Sequence, residues 1–143
     1  MATANLHETL LSYTLRKNYL TVEITNLQSR KTLAAYSQAD RQAFKAQDEE
    51  ELRQYFKALY DSDCDYQGKY KDYTEIPDFE EAMDKIAARY NDELADLTAW
   101  ETQLDAQITT DSAELEEINA YMESFKSMLS SNIQEDYNYG SNG

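Results

Sequence analysis

Hydrophobic positions recur along two long stretches of the chain on alternating steps of three and four residues. In the first stretch Leu6, Leu10, Tyr13, Leu20, Ile24, Leu27 and Ala34 keep this rhythm, with Lys17 and Lys31 filling the intervening places. Such steps put side chains on one face of a helix, and their mean is the heptad spacing of helices that pack along a partner. The rhythm falters where the seam positions become Gln38, Arg41, Lys45 and Asp48, and it resumes at Leu52, Tyr55 and Leu59. A bend is expected there, and Asp48 followed by Glu51 has the spacing of a capping box that could start a new helix. The second stretch runs through Phe79, Met83, Ile86, Tyr90, Leu94, Leu97, Leu104, Ile108, Leu115, Ile118, Met122, Phe125 and Leu129. Its weak point is Thr109 to Ser112, residues that favour caps over helix interiors, and Asp111 with Glu114 offers a second restart.

The helix breakers divide these stretches. Neither Gly nor Pro occurs from Met1 to Gln67 or from Asp78 to Tyr139, so Gly68 and Pro77 fall together in one short region. Asp61 to Pro77, dense in Asp, Tyr and Lys and without helical period, reads as the connecting loop. Pro77, Asp78 and Glu81 form a helix-start signal with Asp78 as the expected cap. The organisation predicted is one all-α domain over residues 1–136, with an arm at 5–60, a loop at 61–77 and an arm at 78–133, followed by a disordered tail at 137–143. Arms of equal length predict a long antiparallel helical hairpin, coiled-coil-like. Folding at Asp48 or Asp111 would instead give a three- or four-helix bundle.

One pattern exceeds what a hairpin can bury. Leu11, Leu15, Tyr19 and Val22 form a second apolar stripe on the first arm, off the seam. A two-helix hairpin has one buried face per helix, so this stripe needs another cover. A partner interface is expected there, filled by self-association into a homo-oligomer or by a helical protein partner.

Charge sets the partner class. The chain carries a formal net charge of −15, which disfavours bare phosphate backbones and anionic lipid surfaces, so nucleic acid is not an expected partner. The six basic and three acidic side chains of residues 1–47 net +3, leaving −18 on residues 48–143. A basic first helix beside an acidic second one is therefore expected, as orientation more than as a source of stability. No apolar run approaches the length of a membrane span, and residues 1–15 lack the basic start and apolar core of a secretory signal. A single cysteine, Cys64, fits a reducing compartment. The location expected is cytoplasmic, or outside the cell by a leaderless route.

Two candidate sites lie in the loop. Asp61, Asp63 and Asp65 alternate as in the start of an EF-hand, which they resemble, and Asp72 stands at the twelfth position; calcium is the cofactor this would imply. The sixth position, however, is Tyr66 where the turn needs Gly, and Asp72 is shorter than the Glu that closes such a loop. Tyr66, Tyr70 and Tyr73, interleaved with Lys69 and Lys71, could form a recognition tip or could pack over the hairpin end.

No catalytic constellation emerges. His7 is the one histidine and lies in the first turns of the first arm, Cys64 sits between two aspartates that disfavour its thiolate, and no glycine-rich phosphate loop is present. The function expected is a non-enzymatic coiled-coil interaction or structural protein. The alternatives are a calcium-binding helical module and a leaderless secreted helical subunit or secretion chaperone.

Overall fold

A computed structural model of the chain describes residues 2–142, with side chains described for residues 4–135. The order of elements is α1 (Ala2–Ser62), α2 (Cys64–Lys69), a 3-10 turn (Tyr73–Glu75) and α3 (Pro77–Asn142). No strand occurs among the described residues, and α1 and α3 pack antiparallel as an all-α helical hairpin. Their unbroken length follows from composition, since neither helix body contains a proline past the first position of α3 and Ala, Leu, Glu, Gln and Lys dominate both.

The restarts expected at Asp48 and Asp111 do not occur, and with them goes the three- or four-helix bundle. Both residues sit inside continuous helix. The reason at Asp48 is that its carboxylate is used across the hairpin, accepting from the Tyr90 hydroxyl. Glu114, the far half of the second restart signal, is likewise taken by Arg16. The helical backbone also continues past Tyr137 to Asn142, where an unstructured tail was expected. The side chains of that segment, and Gly143 altogether, lie outside the described residues.

The connection is more ordered than a loop. Gln67 reaches back with its side-chain amide to donate to the carbonyls of Tyr60 (3.2 Å) and Asp61 (3.1 Å), filling acceptors that the end of α1 leaves open. Asp63 is extended and accepts from the Asp65 N–H at 2.9 Å, capping α2. Asp72 does the same for the 3-10 turn, accepting from the Thr74 N–H at 2.8 Å and from its hydroxyl. Ile76 is extended, the conformation that a following proline enforces, and α3 opens on Pro77 at the first helical position. Asp78 is therefore not the cap. It lies inside the first turn with Glu80, where negative charge is favoured by the unpaired N–H groups.

The hairpin divides into two compact units. One comprises Met1–Arg30 with Leu104–Gly143, the other Lys31–Gln103. The first is held by Leu20, fully buried, against Ile118 and Met122, with Leu10, Tyr13 and Leu115 packed around them. The Tyr13 ring lies 5.8 Å from that of Tyr121 and 5.6 Å from that of Phe125. In the second unit the core is Phe56, Ile76 and Phe79 at the hairpin turn, joined by Leu52, Leu59, Tyr60 and Met83.

The faltering part of the seam lies wholly in that second unit and is bridged by polar rungs. Gln38 donates to Glu101 at 3.0 Å, Arg41 approaches Glu93 at 3.4 Å, Lys45 donates to Asn91 at 3.4 Å, and Tyr90 donates to Asp48. Polar seam residues that look like a bend thus meet polar groups in and beside the seam of the facing helix, and the helix continues.

Candidate functional site

The second stripe is open to solvent. Within the first unit Leu11 is 60 % exposed, Leu15 62 %, Tyr19 54 % and Val22 61 %. At about 100° of rotation per residue the stripe points roughly away from Leu10, Tyr13 and Leu20, the residues that meet α3. α1 in this unit is therefore apolar on two faces, and α3 covers one.

Arg16 links the stripe to the seam. Its Nε and Nη2 donate to the two carboxylate oxygens of Glu114 at 2.9 and 3.0 Å, and its guanidinium lies 5.1 Å from the centre of the Tyr19 ring. The paired hydrogen bonds hold the Glu114 carboxyl below its ordinary range and raise Arg16 further. The pair is half exposed, so it contributes little to stability, and it holds the guanidinium beside the Tyr19 ring at the edge of the stripe. Nearby, Tyr121 donates to Glu117 at 2.8 Å, and this bond raises the tyrosine pKa.

The second unit has exposed apolar side chains of its own on α1, namely Leu33, Tyr36, Phe44 and Tyr55. Phe44 lines an open cleft of about 430 Å³ with Ser37, Asp40, Arg41, Glu93, Asp96 and Leu97. The charged groups there are chiefly acidic, and Arg41 is already paired with Glu93.

In the loop, Asp61, Asp63, Asp65 and Asp72 are not brought to one point. Asp63 caps α2 and Asp72 caps the 3-10 turn, while Asp61 and Asp65 face solvent. Among the described residues no group of three or more His, Cys, Asp or Glu side chains is placed to hold a metal ion. The Asp72 carboxyl is lowered by the Thr74 hydroxyl and N–H, which is the effect of capping and requires no cation.

The tyrosines of the loop pack inward. Tyr66, Tyr70 and Tyr73 are half-buried against the Phe56, Ile76 and Phe79 cluster, with Tyr73 edge-on to Phe79 at 5.4 Å and Tyr66 stacked on Tyr70 at 6.1 Å. The Tyr60 hydroxyl donates to the carbonyls of Tyr70 and Lys71 at 2.9 and 2.8 Å, which pins the loop over the end of α1. Lys69 and Lys71 remain exposed.

His7 and Cys64 are both exposed. No helix among the described residues is long and apolar enough to cross a membrane. Three arrangements had no signal in the sequence: the Arg16, Tyr19 and Glu114 group, the Asp48 to Tyr90 bond, and the Gln67 cap. Each depends on a contact across the hairpin or back across the turn, to which no local spacing rule applies.

The chain matches no protein-family model, no curated protein and no solved structure.

Proposed function

We propose that the chain is a non-enzymatic helical interaction protein that docks a second helical surface, from its own kind or another protein, onto the stripe of Leu11, Leu15, Tyr19 and Val22. The supporting observation is the exposure of these four side chains on the side of α1 turned away from α3. Burying large apolar side chains that stand about 60 % exposed is worth roughly 1–2 kcal/mol each. Four together rival the lower part of the range of about 4–15 kcal/mol that association costs. Such a stripe supports assembly when its polar borders also match, and it is a liability when left open.

The experiment is the paired substitution Leu15→Asp and Val22→Asp, followed by light-scattering mass and circular dichroism. The expected result is loss of the assembled mass with helix content retained, because neither residue contributes to the buried core. An unchanged mass would remove this stripe as the interface.

A further inference from the structure

We infer that the occupant of the stripe is a second copy of this chain, its α1 laid antiparallel across a two-fold axis near Tyr19. The inference rests on the docking reading above and deepens it by naming the partner. It is carried by the charged residues that border the stripe. On the Arg16 side of the stripe's midline the charged side chains in chain order are Glu8, Arg16, Glu23 and Arg30, alternating in sign, with Glu8 between Leu15 and Tyr19 in rotation and the other three beyond Tyr19. By the same rotation of about 100° per residue, the opposite border is formed by Thr14, Asn18, Thr25 and Ser29, all uncharged. Thr14 and Thr25 turn their hydroxyls back onto the carbonyls of Leu10 and Thr21.

Symmetry decides what these borders meet. In an antiparallel two-fold pair the same border of each helix faces itself in reverse order, whereas in a parallel pair unlike borders meet. Reversing acidic, basic, acidic, basic gives basic, acidic, basic, acidic. The charged border is therefore its own complement: Glu8 comes level with Arg30 of the second copy, and Arg16 falls near its Glu23. The same register sets Leu15 level with Val22 and Tyr19 beside its own counterpart, which places the apolar residues between the two copies. A parallel pair would oppose this charged border to Thr14, Asn18, Thr25 and Ser29 and leave it without partners.

Net charge favours the same surface. Two chains of −15 repel, but residues 1–30 carry Glu8 and Glu23 against Arg16, Lys17 and Arg30, a net of +1. Copies that meet through this part of α1 keep the acidic residues of α3 off the contact. Arg16 is also held by Glu114 of its own chain, so the pair formed by Glu8 and Arg30 is the one that reports the register.

The test uses the full chain. Sedimentation would give the dimer dissociation constant for the wild type, Glu8→Lys, Arg30→Glu and the double variant. Each single reversal turns two attractions into two repulsions and is expected to weaken the dimer about tenfold, with the double variant returning to within about threefold of wild type. In a Cys64→Ser background, Tyr19→Cys is expected to form a disulfide-linked dimer on mild oxidation and Leu11→Cys is not. Equal cross-linking at both positions would indicate parallel helices and overturn the inference, as would a double variant no better than the singles. A wild-type chain that stays monomeric to high concentration would also overturn it. A photo-crosslinking residue at position 15 in expressing cells then separates the two levels: an adduct heavier than a dimer would reject the second copy but keep the docking reading, and no adduct at all would reject both.

Discussion

At Asp111 the packing of α3 carries a local cost. The residue occupies a seam position between Ile108 and Leu115, and one of its carboxylate oxygens is shielded from solvent without a hydrogen-bond partner. An oxygen in that state costs about 1–3 kcal/mol, so Asp111→Leu is expected to raise stability by roughly 1 kcal/mol or more in urea unfolding. A fall in stability would show that the carboxylate is solvated in solution and that the seam opens there. Asp48 has the opposite fate in an equally polar stretch, because the Tyr90 hydroxyl meets it, and that bond together with burial raises the Tyr90 pKa. The difference between the two aspartates was not legible in the sequence. Both precede a Glu by three residues, the spacing of a capping box, and what separates them is whether a donor 42 residues away lies across the hairpin. The same limit applies to Arg16 and Glu114, 98 residues apart, whereas the exposed stripe beside them could be read directly because it depends only on helical spacing.

At the level of elements, hydrophobic period and the position of the breakers were enough to place both long helices and the hairpin turn. The turn is more ordered than its composition suggests. Gly68 stands in sequence as one of the two breakers of the connecting loop, yet it lies within α2 at an ordinary negative φ, and a Cβ added there would meet nothing within 4 Å. The order comes instead from side chains that cap at short range, Asp63 and Asp72, and from Gln67 reaching back to α1. It comes also from tyrosines that bury their rings against Phe56 and Phe79. Gly68→Ala should therefore stabilise the protein by about 0.5–1 kcal/mol, since alanine costs less entropy in a helix and has room. Thermal unfolding would check this. A destabilised variant would mean that residue 68 leaves helical geometry in solution and that the connection is a loop there.

For the whole molecule, the asymmetry of charge sets how association responds to salt. With +3 on residues 1–47 and −18 on the rest, most of the repulsion between two chains arises away from the proposed contact and acts at long range. Raising salt from 20 to 300 mM shortens the screening distance from roughly 20 Å to roughly 6 Å, which suppresses that repulsion. Apolar contact through Leu11, Leu15, Tyr19 and Val22 is not screened at all. The border pairs of Glu8 with Arg30 and Arg16 with Glu23 are weakened by the same salt, but there are few of them and exposed pairs are worth only about 0.2–1 kcal/mol each. Repulsion between two charges of −15 is the larger effect, so association should tighten with salt, by about threefold or more in dissociation constant over this range, as sedimentation at the two salt concentrations would show. Weakening with salt would reverse the ranking: the contact would then be held mainly by charge, the apolar stripe would be secondary, and Leu15→Asp would matter less than Arg30→Glu.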